Sequence, residues 1–203
     1  MRKIILYIST ILLFGIAVIY GMGNFKKETS SLEKEVDENF VNFEGKVDGF
    51  YSLNDLEEGS EIIVKGIKRD EIGTEVINSK IDGEVVGGYT ISNFEITEVY
   101  KNAPDNQKIK IDNTIKVSEV SFYDEQTETN YTVNGYQKME QSDEYLLLLS
   151  DEIEGFFSTT GVTFGKVPLS TDELEIIEDE DSPEHNNIDV FSEIFDDARK
   201  KYE

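Results

Sequence analysis

The chain has 203 residues, 43 acidic and 19 basic, for a formal charge of −24; it contains no cysteine and a single histidine, His185. An imbalance this large argues against nucleic acid as a partner, because phosphate binding draws its affinity from lysine and arginine. The lack of cysteine excludes disulfides, thiol nucleophiles, thiolate metal sites and a lipid anchor on cysteine.

Residues 4–22 form an uncharged run of nineteen, preceded by Arg2 and Lys3 and followed by Lys26 and Lys27. At about 1.5 Å per residue a helix of this length covers roughly 28 Å, close to the hydrocarbon thickness of a bilayer. Tyr7 and Tyr20 sit near its ends, where amphipathic rings favour headgroups. We read residues 1–23 as a membrane anchor or uncleaved signal segment, with the lipid bilayer as partner of residues 4–22. A cleaved secretory signal and a buried helix of a soluble protein are the alternatives. Arg2 and Lys3 place the amino end inside and the remainder outside the cytoplasm, although Lys26 and Lys27 make that bias shallow.

Residues 24–51 read as an acidic stalk. Within it Leu32, Val36, Phe40 and Phe43 recur at helical spacing, and Ser30 with Glu33 forms a capping box, so a short amphipathic helix is expected. A capped helical turn then opens the domain: Ser52 is its N-cap, Leu53 and Leu56 face inward, and Gly59 ends it.

From residue 61 to 169 helical spacing gives way to alternation. Ile62, Val64 and Gly66 share one strand face and Ile63, Lys65 and Ile67 the other. A second strand is expected at 75–77, a turn at Asp82 and Gly83, and a bulge or close backbone approach at Gly87 and Gly88. The apolar phase slips between Ile91 and Phe94, which predicts a bulge there. After a turn containing Pro104, Ile109, Ile111, Ile115 and Val117 keep one phase and predict a long strand. Residues 122–136 read as an exposed hairpin turning at Asn134 and Gly135. Tyr145, Leu146, Leu147, Leu148 and Leu149 lack alternation, as in a strand buried on both faces. Pro168, having no N–H, marks an edge strand. The whole of 52–169 is expected to be a small antiparallel, OB-like or partly closed barrel, with an open sandwich as the alternative, so the fold class is mainly β, flanked by an N-terminal transmembrane helix and a C-terminal amphipathic helix.

Residues 170–203 comprise an acidic connection and that last helix. Glu178, Asp179, Glu180 and Asp181 do not match the spacing of a calcium loop, so a solvated linker is expected rather than a metal site. Asn187 caps a helix with Phe191, Ile194, Phe195, Ala198 and Tyr202 on one side, and Asp196 with Lys200 and Asp197 with Lys201 stand at four-residue spacing. Packing of this helix back over the sheet is the reading.

No catalytic residue and no cofactor are expected. His185 has neither a second histidine nor a ligand ladder beside it, the serines lack G-x-S-x-G and S-x-x-K contexts, and the glycine spacing fits neither a phosphate loop nor a dinucleotide fold. Tyr123, Tyr131 and Tyr136, around the expected hairpin, are the candidate binding residues for a peptide or glycan.

Asp55-Leu56, Ser60, Ile63-Val64-Lys65-Gly66, Glu98-Val99-Tyr100-Lys101, Gly135-Tyr136 and the run from Glu144 to Leu149 together resemble a group of small exported, often lipoprotein-like and mostly uncharacterised proteins of Gram-positive bacteria. The resemblance covers residues 52–169 and implies a compact β-barrel similar to an OB fold; it transfers no catalytic residue. The expectation is therefore a membrane-tethered extracytoplasmic binding or accessory domain for an envelope protein, peptide or glycan, without chemistry of its own. The alternatives are an exported hydrolase with a carboxylate pair and a purely structural spacer.

Overall fold

In a computed structural model of the chain, residues 39–103, 106–177 and 188–202 are described, all within the unit Glu38–Glu203. The expected anchor at 4–22, Leu32, Val36, Pro104, the run from Glu178 to Asp181, His185 and Asn187 lie outside them. Among the described residues no helix is long and apolar enough to cross a membrane.

The unit is mainly β and consists of two sheets. Its strands are β1 (Asn39–Phe43), β2 (Ile62–Asn78), β3 (Val85–Lys101), β4 (Thr114–Glu119), β5 (Ser121–Asp124), β6 (Thr129–Val133), β7 (Glu144–Leu149), β8 (Phe157–Ser158) and β9 (Lys166–Pro168); its helices are α1 (Leu53–Gly59) and α2 (Ile188–Tyr202). Six strands form one sheet in the order β8-β4-β3-β2-β7-β9, and three form the other in the order β1-β6-β5. Two pairings are parallel, β1 with β6 and β4 with β8. The mainly β class expected for residues 52–169 is seen, as two sheets with two parallel pairings and not as a closed antiparallel barrel. Closure by a full ladder stops at β8, which is two residues long. The chain just after it touches β7 through a single bridge, Leu149 with Thr159, and through the Thr160 amide donating to the Leu148 carbonyl at 2.9 Å.

β7 explains why the large sheet is buried on both faces. Alternation sends Tyr145, Leu147 and Leu149 into one core with Ile62, Val64, Phe94 and Ile115. It sends Leu146 and Leu148 into another with Ile63, Leu56 and the α2 residues Phe191, Ile194, Phe195, Ala198 and Tyr202. The unbroken leucine run is what a strand between two cores requires. α1 begins where the Ser52 hydroxyl accepts from the Asp55 amide at 3.2 Å. Pro168 lies on β9, at the sheet edge, where no partner needs its missing N–H. α2 packs back onto the sheet, but its charges pair one residue closer than expected: Arg199 with Asp196 and Lys200 with Asp197, while Lys201 reaches Glu57 at 2.7 Å.

Four sequence expectations change. Phe40 and Phe43 belong to strand β1, not to a stalk helix; the Phe43 ring stacks on Tyr131 at 5.5 Å and the β1 backbone pairs with β6, contacts that three-residue spacing alone does not distinguish from a helix. Residues 75–77 are not a separate strand but the far part of β2. The phase in β3 does not slip: Thr90, Ser92, Phe94 and Ile96 are all buried, and the nearby irregularity is in β2, between Lys68 and Gly73. Ile109 and Ile111 precede β4, because Asp112 at φ 65° turns the chain before Thr114. Gly88, by contrast, does mark a close approach, since a Cβ there would lie 2.5 Å from the Glu75 carbonyl and 2.8 Å from the Phe122 ring.

Leu147 is fully buried at the centre of this arrangement. Leu147→Ala is expected to destabilise by about 2–5 kcal/mol in urea unfolding, as large-to-small changes in tight cores do. Ile153→Ala, at an exposed position, is expected to change stability by less than about 0.5 kcal/mol.

Candidate functional site

The inner face of the large sheet turns from apolar to polar toward one end. On β2, Ile62, Val64 and Gly66 are followed in the same phase by Lys68; on β4, Ile115 and Val117 are followed by Glu119; on β3, Ile96 and Phe94 give way to Ser92 and Thr90. Lys68, Ser92, Thr90 and Glu119 are all buried. The Glu119 carboxylate accepts from the Ser92 hydroxyl, from the Tyr136 hydroxyl at 3.2 Å and from the Met139 amide at 2.7 Å. Lys68 donates to the Met139 carbonyl at 2.6 Å and stands 3.9 Å from Glu119.

A second pair completes the layer. Lys166, fully buried, donates to Glu175 at 2.9 Å and to the Gln137 carbonyl at 2.6 Å, and lies over the Tyr136 ring at 4.9 Å. The Tyr145 hydroxyl donates to Glu175 at 3.0 Å and accepts from the Glu140 amide at 2.7 Å. Burial lowers the Lys166 pKa, and Glu175 works against that shift. Burial, with Glu119 alongside, raises Tyr136 far above the usual tyrosine range, and burial with Glu175 does the same to Tyr145. Lys68, Glu119, Lys166 and Tyr145 each bond directly to the segment that joins β6 to β7.

That segment begins at Asn134 and Gly135, both at positive φ, 52° and 66°. The turn foreseen there exists, with the Tyr136 amide donating to the Val133 carbonyl at 3.1 Å. It does not close the hairpin, however: β5 and β6 are joined through residues 125–128. Asn134 instead binds both backbone groups of Gly45, at 2.7 and 2.9 Å.

The three candidate tyrosines separate. Tyr136 is fully buried against Glu119. Tyr131 is buried between Phe43 and Phe122, with ring centroids 5.5 and 5.2 Å away in nearly parallel stacks. Only Tyr123 is exposed, at 44 %. The signal for the other two was the alternation of β6, which turns Tyr131 inward, and the buried acid that anchors Tyr136.

Tyr123 lines an open cleft of about 600 Å³ whose other walls are Glu71, Thr74, Val76 and Asn78 of β2, the turn after β5 and Lys138. Glu71 is shared between Lys68 at 3.0 Å and Lys138 at 3.1 Å. Burial acts to raise its pKa, but the two lysines outweigh burial and hold it below the usual range. Asp124 is likewise lowered, by the Thr127 hydroxyl and the Gln126 amide that it accepts from. Among the described residues no group of three or more histidine, cysteine, aspartate or glutamate side chains is arranged to hold a metal ion. No protein-family model and no curated protein sequence matches the chain.

Removing one member of a buried ion pair strands the other. Lys166→Met is expected to destabilise by about 3–5 kcal/mol, and Lys166→Met with Glu175→Leu to recover only the part owed to the stranded carboxylate, because the Gln137 carbonyl that Lys166 bonds stays unpaired in both. Urea unfolding of the two variants checks this; equal losses in both would contradict it.

Proposed function

We propose that the chain is a non-enzymatic binding or accessory module, tethered to the cell membrane by residues 4–22, whose strand-rich unit lies outside the cytoplasm and engages a protein, peptide or envelope component. The uncharged run behind Arg2 and Lys3 supports the tether, being long enough for one bilayer crossing. An OB-like reading of the large sheet is supported by its order: β2, β3 and β4 follow one another antiparallel, β7 returns beside β2, and β8 lies parallel to β4. The likeness to small exported Gram-positive proteins points the same way.

One observation carries the binding reading, namely how the charged groups are used. The buried ones, Lys68, Glu119, Lys166 and Glu175, spend their bonding on the chain itself. A hydrolase of the two-carboxylate kind needs one acid raised so that it can donate a proton. Glu71 and Asp124 shift the other way. A cleft with fixed negative charge and one exposed ring is suited to holding a ligand rather than transforming it.

The test is a photoreactive phenylalanine analogue placed at position 123 or at position 153 of the full chain in intact cells. A discrete adduct from position 123, absent from the still more exposed position 153, is expected. Adducts at both positions alike, or none at 123, would contradict the reading.

A further inference from the structure

β2 is longer than its neighbour on one side. β7 pairs with it only from Ile62 to Ile67, and the connection is closed off by the Lys68 amide donating to the Asp143 carbonyl at 3.1 Å and the Ser142 amide donating to the Lys68 carbonyl at 2.9 Å. Beyond that point, residues 71–78 have β3 as their strand partner and, among the described residues, no strand on the other edge. An unpaired edge of this kind offers a row of backbone donors and acceptors to an incoming chain.

The cleft at Tyr123 lies along that edge. Its β2 residues Thr74, Val76 and Asn78 alternate along the strand and so share one face, and no residue of β3 lines it, so the cleft lies on that face of β2, the outer strand here. The opposite wall is built by β5, itself the last strand of the small sheet. The part of β2 that β7 leaves unpaired therefore forms one wall of the cleft, and the end of β5 the other. At about 3.3 Å per residue, residues 71–78 extend over roughly 26 Å, enough for an added strand of six to eight residues.

Charge selects the occupant. Glu125 and Asp124 stand on one wall, Glu71 and Lys138 offset each other, and Glu84 is exposed where the neighbouring cleft continues past Asn78. The whole chain adds its charge of −24 to that field. From this geometry we infer that the slot takes an extended peptide segment of a partner protein, bearing lysine or arginine at alternate positions, which adds as a strand to β2 at residues 71–78. Strand addition supplies backbone hydrogen bonds for affinity and leaves alternate side chains to set specificity. The partner side chains on the cleft side meet the carboxylates and the Tyr123 ring, which also stacks well on a guanidinium, while the alternate set faces away from the cleft. The inference rests on the binding reading above and deepens it by naming the chemistry of the partner.

The experiment uses the full chain in mild detergent with three synthetic ten-residue peptides that alternate valine with lysine, with glutamine or with glutamate. Binding is read by fluorescence anisotropy, and its location by hydrogen exchange with mass spectrometry. The lysine peptide is expected to bind at least tenfold more tightly than the other two, to slow exchange within residues 71–78, and to lose at least tenfold in affinity in the Glu84→Lys, Glu125→Lys double variant, whose substitutions sit on exposed side chains. Slowed exchange at 71–78 with the glutamine peptide binding equally well would overturn the basic partner while leaving the cleft as a binding site. Binding of the lysine peptide without slowed exchange at 71–78 would overturn strand addition. No binding by any of the three would overturn the inference and count against the cleft altogether.

Discussion

Two lysines and two glutamates buried at the polar end of the large sheet are the constraint on which the rest of the unit depends. The segment between β6 and β7 crosses that end with no ladder of its own, so its backbone groups need partners from elsewhere. Lys166 takes the Gln137 carbonyl, Lys68 the Met139 carbonyl, Glu119 the Met139 amide and Tyr145 the Glu140 amide. Left unbonded inside the fold, each such group would cost about 1–3 kcal/mol. The ion pairs and the crossing segment therefore require one another: the charges are tolerable because the segment satisfies them, and the segment can be buried because the charges bond it.

This arrangement also links the core to the open surface. Lys68 bonds both to Met139 inside and to Glu71 at the cleft, and Lys138, on the crossing segment, reaches Glu71 from the other side. The cleft wall is thus held by the same segment that caps the core. From the carboxyl side Glu175 closes the second pair, and Arg199 of α2 fixes the neighbouring chain by donating to the Pro168 and Glu173 carbonyls, each at 3.0 Å. A substitution in the buried layer should consequently be felt at the cleft even though none of Lys68, Glu119, Lys166 and Glu175 lines it.

Much of the framework was legible in the sequence wherever one physical rule dominated. Ser52 and Asp55 specify a cap by their spacing, the leucines of β7 lack the polar alternate that a solvated face would need, and Pro168 can only sit where no donor is required. The site was harder to read. Charged residues that continue an apolar phase, such as Lys68 after Val64 and Glu119 after Val117, look like the end of a strand's buried face. Only the three-dimensional return of Tyr136, Met139 and Glu175 shows that they are buried with partners. The same return removed Tyr136 from the surface, Phe43 and Phe122 enclose Tyr131, and β1 was hidden because Phe40 and Phe43 fit a helix as well as a strand until β6 is placed beside them.

The most direct measurement is amide hydrogen exchange at Met139 and Glu140, resolved residue by residue by NMR on the full chain. If buried side chains hold the crossing segment as firmly as a ladder would, both amides exchange as slowly as those of Leu146 and Leu148 in β7. Exchange at Met139 and Glu140 close to the rate of an unfolded chain, with β7 still protected, would contradict the account.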